Sequence, residues 1–223
     1  MTAAPPLEAT PLIRRIGYRT DTPLPDFTFD AWPPGSACAV LLPDQGEAQA
    51  RALLQEGAPR VYVGEAALRD STLVERLARD YGAGRIGLYV PARRMAVSWS
   101  FDPVSNADFK FVAPSLCAPA WEVLRADGSG SGTLASWWIG AMMERGAAAV
   151  LLRVDIADDA DLNLCAELHE QLGARPWIGP LQALDSDFSA WVRWGKATQL
   201  AVPQALFETN PSLAALGAAP LTT

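Results

Sequence analysis

Histidine is almost missing from this chain: His169 is the only one in 223 residues. It falls inside a predicted helix, far in sequence from any strand end, and reads as a surface or flank residue. That argues against a histidine-based triad and against a zinc cluster. Cysteine is scarce as well. Cys38, Cys117 and Cys165 are odd in number and lack the paired spacing of a metal site, so buried free thiols are expected. Charged residues make up only 19%, acidic ones outnumber basic ones 25 to 18, and no basic run breaks the pattern. Nucleic-acid backbones are bound through clustered lysine and arginine, so no nucleic-acid partner is expected. No apolar stretch approaches a membrane span, and Met1 to Thr10 lacks the charged-then-apolar plan of a signal peptide. The expectation is a cytoplasmic protein with no membrane partner.

What the chain does have is apolar bulk. Half of its residues are hydrophobic, which suits a globular chain with one sizeable core. Residues 1–36 are proline-rich, and only Leu12 to Tyr18 looks able to form a strand there. Residues 37–208 alternate strand and helix patterns, and residues 209–223 form an alanine- and leucine-rich tail with a short helix. Within the middle region, six short apolar runs read as parallel strands: Cys38–Leu42, Arg60–Val63, Arg85–Val90, Ala147–Leu152, Pro176–Ile178 and Gln199–Val202. Helices are expected over Glu47–Gln55, from near Ser71, and near Asp187–Trp194. Gly64 to Asp70 reads as a loop. Pro91 is expected to stop its strand, since proline has no donor N–H.

Trp121 to Leu172 carries the clearest pattern: a strand, a glycine-serine turn, a helix, a buried strand, an acidic loop and a second helix. Thr133 is the expected N-cap of the first helix. Leu134, Trp137, Trp138, Ala141 and Met142 recur at helical spacing as its inward face. Gly146 stands where a left-handed C-terminal cap belongs. A helix between parallel strands is a crossover unit, and several in series build an α/β sheet or barrel.

Several phrases then recur in an order that resembles a known family. Trp121-Glu122-Val123, Ser131-Gly132-Thr133, the tryptophan-bearing helix, Arg145-Gly146-Ala147 and Leu151-Leu152 are similar to two successive units of the HisA/HisF barrels, the histidine-biosynthesis isomerase and cyclase. Upstream, Leu53 to Ala58, Arg60 to Val63 and Glu65 to Asp70 continue it, so the resemblance spans residues 37–208. More narrowly, the chain resembles the shortened HisA/HisF-like proteins linked to tetrahydromethanopterin-dependent one-carbon metabolism. The resemblance implies an α/β fold, a (β/α) TIM-type barrel shortened at its N-terminus. Six strands are two short of a closed barrel. The missing staves fall to Leu12–Tyr18 and residues 95–124, or to a second chain. The implied function is a role in that pathway, in coenzyme biosynthesis. The alternative is a noncatalytic barrel subunit or scaffold.

Against the family pattern, the acid of the fifth strand falls at Pro91 or its neighbours Val90 and Ala92, none of which transfers a proton. The acid of the first strand has no counterpart in Leu12–Tyr18. The phosphate loops that the resemblance would supply read Pro43 to Gly46, Asp155 to Asp159 and Gly179 to Leu181, where proline removes a donor and carboxylates repel phosphate. Isomerase or cyclase chemistry on a bisphosphorylated substrate is therefore not expected.

Active sites of parallel barrels lie at the C-terminal ends of the strands. The catalytic candidates there are Glu65, Arg153 and Asp155. Glu65 is either a general base or an acceptor for the N–H groups of its own local loop. Arg153, in an apolar strand, either pairs with Asp155, Glu65 or Asp44 or binds an anion. Asp155 ends its strand and should face the mouth. Ligand-binding candidates are Asp44, Arg93, Arg94, Asp158 and Gly179. The acidic loop Asp155, Asp158, Asp159, Asp161 either holds a divalent cation or charges the first turn of the next helix. No cofactor and no resident metal follow from these residues. A small-molecule ligand at the mouth, a second copy of the chain or another protein remain the partners to consider.

Overall fold

The backbone alternates strand and helix along most of its length. The computed structural model describes residues 12–13, 39–95, 119–173, 175–183, 185–202 and 209–216. Its strands are β1 (Leu12–Ile13), β2 (Ala39–Leu42), β3 (Arg60–Val63), β4 (Ile86–Arg94), β5 (Trp121–Leu124), β6 (Gly130–Leu134), β7 (Ala149–Arg153), β8 (Pro176–Gly179) and β9 (Gln199–Leu200). The helices are α1 (Glu47–Gln55), α2 (Glu65–Arg69), α3 (Thr72–Tyr81), α4 (Ala135–Glu144), α5 (Asp159–Leu172), α6 (Phe188–Arg193) and α7 (Pro211–Ala215). Residues 14–18 and 96–118, on which the completion of a barrel was expected to draw, lie outside the described residues, as do Cys38 and Cys117.

Seven strands pair in parallel in the order β2-β3-β4-β7-β8-β9-β1. The chain lays each new strand beside the last and then returns its first strand to the far edge, against β9. The six parallel strands expected from the apolar runs are all present. Parallel neighbours require a crossover between them, and the helices supply it.

Alternation along the strands divides the sheet into two faces. On one, Val40, Val61, Leu88, Val90, Val150, Leu152 and Ile178 form a continuous core with residues from the helices, among them Leu53, Leu77, Trp138, Cys165, Leu168 and Trp191. On the other, Leu41, Tyr62, Ala149, Leu151, Trp177 and Ala201 cluster with Tyr89 and, among the described residues, with no helical residue. Among the described residues, helices therefore pack on one face of the sheet. Its inner face is filled by the strands' own side chains, large beside small. Register places Tyr62 next to Gly87 and Gly87 next to Ala149. The Tyr62 ring lies over Gly87, where a Cβ would come within 2.7 Å of two ring carbons.

β4 does not end at Pro91. It runs to Arg94, because the proline falls where the strand changes partner: Pro91 is the last residue in register with β7, at Arg153, and Ala92 already faces Val123 of β5 in an antiparallel pair. β5 and β6 form an antiparallel hairpin that extends the sheet beyond its parallel part. Two other local expectations change. Thr133 belongs to β6 and is buried, and Leu134 is the N-cap of α4, with no side-chain cap. Thr133 is held by the hairpin ladder, and its amide bonds to Ser131 Oγ at 3.1 Å. Trp138 and Met142 face inward as expected, whereas Trp137 is 46% exposed, since the sheet meets a narrower stripe of α4 than the spacing suggests. Gly64 to Asp70 contains a helical turn, α2, rather than a loop throughout. Gly146 takes φ +109° and directs its N–H to Met143 O, the glycine terminus expected for α4.

The inner packing makes a direct prediction. Gly87→Ala inserts a methyl into the Tyr62 ring and is expected to cost about 1–3 kcal/mol of unfolding free energy, as overpacking does. Adding Tyr62→Leu should recover part of that loss in a urea-denaturation double-mutant cycle, and strictly additive losses would refute the contact.

Candidate functional site

Because seven strands run in parallel, their C-terminal ends and the following loops gather at one end of the sheet. All the candidate residues come from this end, and four of the eight, Glu65, Arg153, Asp155 and Asp158, bond backbone groups. Glu65 opens α2 directly after β3, pairs with Arg69, and receives the Ala126 N–H at 2.8 Å through its other oxygen. Its side chain is only 8% exposed. The bond to Ala126, in the turn of the β5–β6 hairpin, ties that hairpin to the end of β3. Glu65 does accept a backbone N–H, but from Ala126, 61 residues away, and not from its own loop as foreseen.

Arg153 lies on the inner face at the last position of β7 and is buried. Around it the register places Pro91 on β4 and Gly179 on β8. Its Nε donates to the carbonyl of Pro180. Gly179 is glycine for close packing: a Cβ there would run into the Ala201 carbonyl, and Arg153 Cδ is 3.4 Å away. Asp155 turns toward the loop after β8, where Oδ1 accepts the N–H groups of Leu181, Gln182 and Ala183, each at 2.9 Å. Asp44 is exposed beyond β2.

The acidic loop resolves into a cap and a clamp. Asp158 is the N-cap of α5 and accepts from Ala160 and Asp161 N–H, as the duller of its two sequence readings holds. Arg94, on the extension of β4, spans the cap: it bonds Asp158 through both terminal nitrogens and meets Asp161 Oδ1 at 3.0 Å and Oδ2 at 2.6 Å. Asp161 is buried and also receives Trp121 Nε1 at 2.9 Å and the Ala157 N–H at 3.0 Å. The Arg94 guanidinium holds the Asp158 carboxyl at about 2, and its own proton is held more tightly in return. Arg93, one residue earlier, points the other way and bonds Glu122 at 3.0 Å. Among the described residues, no group of three or more histidine, cysteine, aspartate or glutamate side chains is arranged to hold a metal ion.

Sequence reasoning missed the partner of Arg94. Asp161 is 67 residues away, and nothing local distinguishes it from any acid in a first helical turn. The one usable signal was Trp121, whose indole N–H needs an acceptor once buried.

His169 departs from its expectation. It is buried on α5, with Nδ1 3.3 Å from Gly173 O and Nε2 without a partner. The carbonyl can only accept, so the neutral ring carries its proton on Nδ1. Burial pushes its pKa below the ordinary value. Cys165 is a buried free thiol, as expected, and desolvation pushes it up to about 12, far from nucleophilic use.

No helix among the described residues is long and apolar enough to cross a membrane. A comparison with protein-family models finds no match, and a comparison with curated proteins finds none either.

Two predictions come from this end of the molecule. Asp161→Ala leaves Trp121 Nε1 and the Ala157 N–H without their acceptor and removes one partner of Arg94. Only the indole donor is fully buried, so at about 1–3 kcal/mol for a stranded buried donor urea denaturation should show a loss of about 1–3 kcal/mol, and a loss under about 0.5 kcal/mol would discount the clamp. For His169, the folded state resists protonation while the unfolded chain protonates near the ordinary pKa of about 6.5. Stability should hold above that value and fall as pH drops below it, because the unfolded state then binds the additional proton. A single imidazole resonance in the NMR spectrum should titrate below 6.5, and His169→Gln should flatten that part of the stability profile.

Proposed function

We propose that the chain is a (β/α) barrel of the HisA/HisF kind that acts in tetrahydromethanopterin-linked one-carbon metabolism, in coenzyme biosynthesis, without isomerase or cyclase chemistry. One observation carries the architectural half: among the described residues the parallel sheet has helices on a single face, strand side chains packed together on the other, and its first strand beside its last. A doubly wound sheet would bury helices on both faces. Closing the curl needs only that β1 and β2, the two edges of the parallel order, come together. The pathway half rests on the resemblance of the phrases between residues 37 and 208.

The chemical restriction follows from individual positions. Pro91, where the resemblance expects a catalytic acid, is strand backbone between two ladders. Ligand binding in this reading centres on Arg153, the charged residue at the last position of β7, with Pro91 and Gly179 beside it in register.

A second reading, a noncatalytic barrel that supports another subunit, draws on a specific observation too. Glu65 and Asp155, two of the three catalytic candidates, are engaged by backbone N–H groups.

Deleting the gene and measuring pterin and one-carbon intermediates by mass spectrometry tests the pathway: an intermediate should accumulate, and unchanged pools with normal one-carbon growth would discard it. Complementation with Arg153→Ala then separates the readings. If the rim binds a ligand, this variant fails to restore the pools although it folds; full restoration favours the scaffold.

A further inference from the structure

Three consecutive backbone N–H groups converging on one oxygen form a concavity that selects for negative charge, and such nests hold oxyanions in many proteins. The loop after β8 is built this way. Leu181, Gln182 and Ala183 all donate to Asp155 Oδ1 at 2.9 Å, and Gln182 also lies 3.2 Å from Oδ2. The segment is not a helix terminus, since α6 begins at Phe188 behind its own cap, Asp187. Its amides therefore converge on the carboxylate without the help of a helix dipole.

The walls of the nest are set by β7. Val154 N–H bonds Gly179 O at 3.0 Å, and Arg153 Nε bonds the carbonyl of Pro180, so the two residues before the nest are held by the two residues before Asp155. Gly179 has no room for a side chain. The backbone entering the nest is thus fixed independently of Asp155.

We infer that the loop after β8 is an oxyanion-binding site whose resident anion is the chain's own Asp155 carboxylate. An external carboxylate or phosphate is excluded from the intact protein because the carboxylate already present is tethered and at high effective concentration. The consequence for ligand choice is specific: any small molecule at this end of the sheet reaches the β8 loop without an anionic group bound to these three amides. The inference stands whether or not the pathway reading holds.

The test is chemical rescue. Asp155→Gly empties the nest, and its melting temperature should fall. Formate in the tens of millimolar should then recover about half of the loss or more by occupying the vacated site. The intact protein should gain nothing beyond the general salt effect measured with chloride. Inorganic phosphate, run in parallel, reports whether the emptied nest accepts a larger oxyanion. A folded Asp155→Gly chain whose melting temperature formate and phosphate leave no higher than chloride does would overturn the proposal. So would binding of either anion at these amides in the intact protein, seen as chemical-shift changes at residues 181–183. Should Asp155→Gly fail to fold, hydrogen exchange decides. The amides of 181–183 must exchange slowly in the intact protein and in Asp155→Asn, which keeps an acceptor in place, and rapid exchange in both would refute the nest.

Discussion

A backbone N–H that leaves a strand or helix still needs an acceptor, and at the C-terminal end of this sheet carboxylates provide it. Glu65 takes the amide of Ala126, Asp155 takes those of Leu181 to Ala183, Asp158 takes those of Ala160 and Asp161, and Asp161 takes that of Ala157. Each of these bonds joins segments that the ladders do not: hairpin to β3, the β7 loop to the β8 loop, and the start of α5 to itself. A carboxylate suits this work because its two oxygens accept several donors at once, and a charged acceptor makes the stronger hydrogen bond. The arrangement of the rim depends on this set of contacts more than on apolar packing.

The same contacts determine what chemistry the rim can offer. A general base must be free to meet a proton on a substrate, and the oxygens of Glu65 and Asp155 are already taken by N–H donors of the chain. Arg94 is similarly occupied, since both Asp158 and Asp161 engage it. Only Asp161 among the three is buried, so it is the member whose removal or mispairing costs most, while the exposed Asp158 contact contributes little. The cluster also connects the extension of β4 to the helix after β7, so the place where β4 changes from a parallel to an antiparallel partner is anchored from both sides.

Much of the fold was legible. Runs such as Ala147–Leu152 and Arg60–Val63 are too short for helices and too apolar for surface, and a strand covered on both faces is the remaining solution. Gly146 and the Asp158 cap are local signals whose meaning needs no tertiary context. The misreadings share a cause. Pro91, Thr133 and Trp137 each obey a local rule that a distant partner overrides: β5 takes up the strand that proline should end, the β5–β6 hairpin absorbs the residue that should cap α4, and the sheet reaches only part of the apolar stripe. His169 looked like a surface residue because nothing near it in sequence announces burial.

The order of strands and helices and the scarcity of imidazole chemistry are properties of the sequence by itself, because periodicity and composition are local and survive without knowledge of neighbours. Which carboxylate meets which amide or guanidinium was decided only by tertiary structure. Arg94 and Asp161, or Asp155 and Leu181, are brought together by crossovers of many residues, and at those separations the chain alone carries no distance information.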